Sequence, residues 1–153
     1  MVLFPQRFEE NSAGSKRARA RLRKTSQSLK GRSEQWRSSE LLKFAKHADK
    51  ALVVFSNAPD FIFTLTAKSA SMIPHKIDPD SRKANERYAD DIAAMGEQLK
   101  KTGAVLIYFK DEGRLWYLPS QKELEAALPL QVIRAARDGT IYSLKGSGLE
   151  SIR

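Results

Sequence analysis

The residues of this chain with the clearest chemical use are cations near its beginning. Eight Lys and Arg side chains occupy a stretch of seventeen residues that contains no acid: Lys16, Arg17, Arg19, Arg21, Arg23, Lys24, Lys30 and Arg32. Such side chains neutralise phosphates and release condensed counterions, so the stretch predicts salt-dependent binding to DNA or RNA. Arg outnumbers Lys, which favours bidentate contact with phosphate, and phosphate contacts add affinity without reading a base sequence.

The same cluster is compatible with three other uses. Residues 16–24, KRARARLRK, are typical of a nuclear-import signal. A segment rich in Arg and Ser and poor in acids also has the composition of a mitochondrial transit peptide, although Glu9 and Glu10 count against that use. The third alternative is a solvated tail that binds some other acidic partner or none.

Charge is unevenly distributed along the chain, whose formal net charge is +9. Residues 1–37 contain ten Lys and Arg against three Glu, a net charge of +7, whereas the other 116 residues contain seventeen cations against fifteen acids, a net charge of +2. Self-repulsion and a shortage of apolar residues predict that residues 1–32 form a basic, disordered arm. We expect residues 33–145 to form a single domain and residues 146–153 to form a flexible tail.

A second group of candidate binding residues surrounds the acidic turn at residues 111–113. We expect strands on both sides of this turn, and on one face of that hairpin Tyr108, Lys110, Arg114 and Trp116 would combine base stacking with phosphate contact. Lys110 and Arg114 are therefore added to the predicted nucleic-acid-binding residues. The alternative, which we favour for apolar runs this dense, is that Tyr108 and Trp116 are core residues.

Catalytic groups are few. A restriction-type metal site needs an acid two residues before a Lys, and no Asp or Glu of the chain has that spacing, so Asp60 is left without the second half of such a site. A metal-independent ribonuclease would have to use His47, His75 and Glu112, of which His75 is the more interesting because it lies in a predicted loop. We therefore expect a non-catalytic protein with no metal site.

Composition excludes several further classes. The 153 residues contain no Cys, which excludes a disulfide framework, a thiolate zinc site and a Cys nucleophile. There is no Gly-rich phosphate loop, so we expect no cofactor. No apolar run approaches the roughly 20 residues that span a bilayer, so we expect no membrane partner. We expect a cytoplasmic protein, with the nucleoid, the nucleus and the mitochondrion left open.

Hydrophobic periodicity predicts the order of elements as arm, α, ββ, α, ββ, α, α, β. This order indicates an α+β fold, with a mostly antiparallel sheet built from two helix–hairpin (αββ) units and helices packed on one face. The predicted helices are residues 33–49, 80–102, 120–128 and 130–138. The predicted strands are residues 51–56, 61–66 and 140–144, together with the two apolar runs of a hairpin that spans residues 104–119 around the turn at 111–113.

The function that these patterns favour is non-catalytic binding of nucleic acid in an accessory or regulatory role. The main alternative is a protein-interaction module, such as an inhibitor or an assembly subunit, whose arm binds an acidic partner. A small ribonuclease-like hydrolase is the third candidate. A homodimer through the sheet edge is also open, because no pattern shows how the edges are protected.

Overall fold

The computed structural model describes residues 38–110 and 115–147. The predicted basic arm and most of the predicted tail lie outside these residues. The described part of the chain has an α+β fold with four helices and a five-stranded mixed sheet. The helices are α1 (Glu40–His47), α2 (Pro59–Thr66), α3 (Tyr88–Thr102) and α4 (Gln121–Ala127), and the strands are β1 (Val54–Ser56), β2 (Ser71–Met72), β3 (Val105–Phe109), β4 (Leu130–Ala136) and β5 (Gly139–Leu144).

The strand order is β2-β1-β3-β5-β4. β1 is parallel to both β2 and β3, whereas β3 pairs antiparallel with β5, and β5 pairs antiparallel with β4. The sheet is therefore mixed, and the prediction of a mostly antiparallel sheet holds only for its β3-β5-β4 part. The reason is that helices α2 and α3 connect β1, β2 and β3, and a helical crossover returns the chain in the same direction.

Helices cover both faces of the sheet, so the prediction of helices on one face is wrong. One face packs on α3 and α4 through a cluster of buried side chains that includes Leu106, Tyr108, Tyr142, Ile92, Leu99 and Leu124. On the opposite face, Gly139 lies beside Phe109 in the sheet, and a Cβ atom at Gly139 would lie 2.6 Å from Cδ1 of Leu41 in α1. Every residue of β3 and β5 is buried, as expected of strands with two covered faces.

Residues 61–66 were predicted to be a strand, and this prediction is wrong because they lie in α2. Pro59 begins the helix, where its missing N–H costs nothing, and Ala67 ends it in the left-handed conformation, at φ 58°. The alternation of six residues in the sequence does not become alternate burial, since the three consecutive residues Phe63, Thr64 and Leu65 are all exposed. The first predicted helix–hairpin unit therefore does not form.

The second predicted unit fails for a different reason. β3 is confirmed, but residues 115–118 form a turn, in which the Leu118 N–H donates to the Leu115 carbonyl at 2.9 Å, and β3 pairs with β1 and β5 instead. Residues 130–136 are also not helical: β4 forms a hairpin with β5 that a bulge interrupts between Val132 and Arg134. Pairing with a buried strand thus overrides the weak helical pattern of this segment.

Local signals at the ends of helices are confirmed. Ser120 and Glu123 form the predicted capping box of α4, and Gly103 ends α3 at φ 60°. α3 begins at Tyr88, later than the predicted Asp80, because an Asp78 side-chain oxygen accepts the Asp80 and Ser81 N–H groups and holds them in a turn. Among the described residues, no helix is both long enough and apolar enough to cross a membrane.

Candidate nucleic-acid interface

One of the ten predicted nucleic-acid-binding residues lies within the described residues. Lys110 directly follows β3 and is exposed, and its backbone N–H donates to the Asp138 carbonyl at 3.0 Å. The others lie outside the described residues: Lys16, Arg17, Arg19, Arg21, Arg23, Lys24, Lys30, Arg32 and Arg114. Their roles remain predictions.

The two aromatic residues predicted near Lys110 are not equivalent. Tyr108 is buried in the core, and its hydroxyl donates to the Pro119 carbonyl at 3.2 Å, so this ring is not available to stack on a base. Trp116 is 51% exposed and packs edge-on against Tyr117, with 5.7 Å between the ring centroids. The predicted stacking face is therefore wrong for Tyr108, and the core alternative is wrong for Trp116.

A groove that sequence reasoning missed carries a concentration of cations. It has a volume of about 830 Å³ and lies among the second half of α1, the segment that precedes β1, the end of α3, and β4. We call it the basic groove and define it by its four cationic side chains, Lys43, Lys100, Lys101 and Arg134. His47 also lines it, and Asp49 is its one carboxylate among the described residues.

The fold assembles the basic groove from three separate elements. Lys43 lies one helical turn before His47 on α1, and the His47 Nδ1 atom lies 2.7 Å from the Lys43 carbonyl oxygen. Lys100 and Lys101 occupy the last turn of α3, where the negative end of the helix dipole stabilises cations. Arg134 follows the bulge of β4. α1 and α3 lie on opposite faces, so the groove lies across the end of the sheet where β1 and β3 begin.

The cations of the basic groove are available to a ligand. All four side chains are exposed, and none forms an ion pair within residues 38–110 and 115–147, where the salt bridge joins Lys76 to Glu123 at 3.1 Å. Asp49 is partly engaged, because its Oδ1 accepts the Ala51 N–H at 2.8 Å. A concave surface with four cations and one carboxylate raises the local concentration of anions.

The remaining lining of the basic groove is partly apolar. Phe44, Ala48 and Leu52 are half-buried and Ala51 is exposed, so apolar atoms lie in the groove between cationic groups. The groove therefore presents apolar and cationic groups side by side.

The residues proposed for a ribonuclease do not form a site in the described part of the chain. His47 lines the basic groove, whereas His75 lies on the segment after β2 and packs edge-on against Tyr117 at 5.0 Å. Asp60 is exposed in the first turn of α2, and Glu112 lies outside the described residues. The described residues contain no group of three His, Asp or Glu side chains that could hold a metal ion.

Carboxylates near His75 have structural roles. The pKa of Asp78 lies below its usual value because the Ser81 and Asp80 N–H groups donate to it. The pKa of Glu123 is also lowered, first by the Ser120 N–H and hydroxyl in the capping box and then by Lys76. Both groups are held as anions, which does not suit a general acid.

Comparison of the chain with models of protein families, with curated proteins and with solved structures finds no match.

Proposed function

We propose that this protein is a non-catalytic, nucleic-acid-binding accessory or regulatory protein. In this proposal the basic arm at residues 1–32 and the basic groove both contact phosphates. The groove belongs to the domain at residues 33–145, which a flexible tail follows. The observation that carries the proposal is that four exposed cations, without ion-pair partners among the described residues, converge on one groove. This occurs although residues 38–153 have almost as many acids as cations.

The distribution of charge supports phosphate as the ligand. The residues that follow the arm have a net charge of only +2, which scattered charged groups would be enough to produce. The groove nevertheless places four cations beside one carboxylate. Each phosphate that a cation neutralises releases counterions, so the affinity contributed by the arm and by the groove falls as salt rises. Lys110 and Arg114 contribute secondary phosphate contacts in this proposal.

The proposal is tested by titrating the full chain into labelled random duplex DNA, single-stranded DNA and RNA at several salt concentrations. One variant changes Lys100, Lys101 and Arg134 to Gln. It is expected to bind more weakly, and its slope of log affinity against log salt is expected to be shallower by about 2 for a single strand. A matched control changes three exposed cations outside the groove, Lys83, Arg87 and Lys122, to Gln, and is expected to keep the original slope.

Deletion of residues 1–32 tests the contribution of the arm. We expect the remaining chain to stay folded, as measured by circular dichroism and thermal unfolding, and to lose most of the salt-dependent binding. Weak binding of the full chain to all three nucleic acids, or equal binding that disappears near physiological salt, would contradict the proposed function.

The second candidate function is a protein-interaction module, and exposed apolar side chains favour it. Phe63, Trp116 and Val132 are each at least half exposed, on α2, on the turn at 115–118 and on β4 respectively. An acidic protein that covers one of these residues and the basic groove would bind tightly, and nucleic acid would then bind no better than to any cationic surface. β4 is also an edge strand seven residues long, so a homodimer through this edge belongs to the same candidate.

A further inference from the structure

We propose that the basic groove holds an unpaired, single-stranded segment of nucleic acid, with one base stacked on Phe44 and the adjoining phosphates held by Lys43, Lys100, Lys101 and Arg134. This inference rests on the proposed function and adds the form of nucleic acid that the groove accepts. It depends on the volume of the groove, on its apolar lining and on the position of its cations.

The groove has the size of a small-molecule pocket, which suits the nucleotide units of a single strand. About 830 Å³ is within the range of pockets that enclose small molecules, roughly 300–1,000 Å³. Single nucleotide units of a flexible strand can enter a groove of this size and turn their bases toward its apolar lining, whereas the bases of a duplex are already paired and stacked. A strand that enters the groove therefore gains contacts that a duplex cannot make.

The lining of the groove supplies a group on which a base can stack. Phe44 lines the groove and is half-buried, and the side chain one helical turn later on the same lining, Ala48, is small. Leu52 and Ala51 extend the same apolar surface. Every base has an aromatic face, so stacking on Phe44 requires no particular base sequence.

The cations surround this apolar surface on several sides. Lys43 precedes Phe44 on α1, Lys100 and Lys101 approach from α3, and Arg134 approaches from β4. Grooves that bind single strands combine these two features, an aromatic side chain for the base and cations along the backbone. An acidic peptide would also match the cations, but it does not carry a flat group at every position. Binding of such a peptide is therefore one of the outcomes that the test distinguishes.

The test uses the full chain with the substitution Phe44→Leu, which removes the aromatic ring and keeps an apolar side chain. The probes are a labelled oligothymidine strand, an abasic strand with the same number of phosphates, a duplex of the same length and polyglutamate. Phe44→Leu is expected to weaken binding of the oligothymidine at least about fivefold. Binding of the abasic strand and the duplex is expected to stay unchanged, because these ligands use the cations alone.

Two further variants keep the test decisive. Phe63→Leu removes an exposed aromatic ring that does not line the groove, and it is expected to bind all four probes like the original chain. Phe44→Trp restores an aromatic face and is expected to recover the affinity for oligothymidine. Since each variant is compared across probes, a general loss of stability would lower all affinities together and would not imitate the expected pattern.

The outcomes separate the inference from the proposed function. If the full chain binds none of the nucleic acids, or binds polyglutamate as well as it binds them, the proposed function fails. If it binds nucleic acid but Phe44→Leu weakens the oligothymidine, abasic and duplex probes equally or not at all, the proposed function stands and the single-strand inference is overturned.

Discussion

The two ends of the parallel part of the sheet use their polar side chains in different ways. At the end where β1 and β3 finish, Asn57 is fully buried, and its side-chain amide both donates to the Phe109 carbonyl and accepts the Phe109 N–H, each at 2.8 Å. The polar groups of Lys76 are also paired within the protein: its N–H donates to the Tyr117 carbonyl at 2.9 Å, and its ammonium pairs with Glu123. We call this the closed end.

At the end where β1 and β3 begin, the four cations of the basic groove have no ion-pair partner among the described residues. Open sheets with parallel strands commonly bind ligands beyond the carboxyl ends of the strands, where the strand order changes direction. Here Asn57 bridges β1 to β3 at that position, so its polar groups stabilise the sheet. The comparison teaches that the four cations gathered in one groove lie at the opposite end, whereas Lys110 is an exposed cation beside the closed end.

The largest loss of stability is expected from a substitution of Gly139, which lies opposite Phe109 at the closed end. A Cβ atom at Gly139 would lie 2.1 Å from the Tyr108 carbonyl oxygen, so Gly139→Ala must displace the backbone of β3 or β5. We expect a loss of about 3 kcal/mol in the free energy of unfolding, measured by urea denaturation. Gly96→Ala is the control, because its Cβ would meet only the end of the Leu128 side chain, and a loss as large as that of Gly139→Ala would contradict the argument.

Asn57→Leu is expected to have the next largest effect. The substitution keeps the number and branching of the side-chain heavy atoms but removes both hydrogen bonds to Phe109, and we expect a loss of about 2 kcal/mol in the free energy of unfolding. Asn85→Leu removes hydrogen bonds at a half-buried position, where water can replace them, and should cost less. Equal losses for the two variants would mean that Asn57 has no special role in closing this end.

A smaller effect is expected in the dependence of stability on pH. The Ser120 N–H and hydroxyl and then Lys76 hold the pKa of Glu123 below its usual value in the folded protein, so its contribution to stability is complete above the pKa of the unfolded chain and is lost as the pH falls through the lower folded pKa. Glu123→Gln should flatten this acid limb, and Lys76→Gln should flatten it less, because the Ser120 N–H is the larger cause of the shift.

The basic groove provides the matching control for the pH experiment. Changing Lys100 and Lys101 to Gln should leave the acid limb as it is, because these cations have no carboxylate partner in the part of the chain that the structure describes. Thermal unfolding at a series of pH values measures both results. If the groove variant flattened the acid limb as much as Glu123→Gln, the two ends of the sheet would not differ as described.

The sequence by itself determined the parts of this fold that depend on residues close together in the chain. The capping box at Ser120 and Glu123, the left-handed Gly103 after α3, and the apolar run of β3 each depend on side chains that are neighbours in the chain. The free energies of the two helix ends are set by contacts within one turn, and the apolar run of β3 is dense enough to favour a buried strand, so the pattern predicts all three correctly. The clustering of cations at residues 16–32 is likewise a property of the sequence alone.

Tertiary structure decided the rest. The segment at 61–66 became a helix and that at 130–136 became a strand because short apolar patterns fit either conformation, and pairing and packing with distant residues determine which one is stable. The basic groove has the same origin. Lys43, Lys100 and Arg134 are far apart in the chain, and they meet only because α1 and α3 cover opposite faces of one sheet and reach the same end of it.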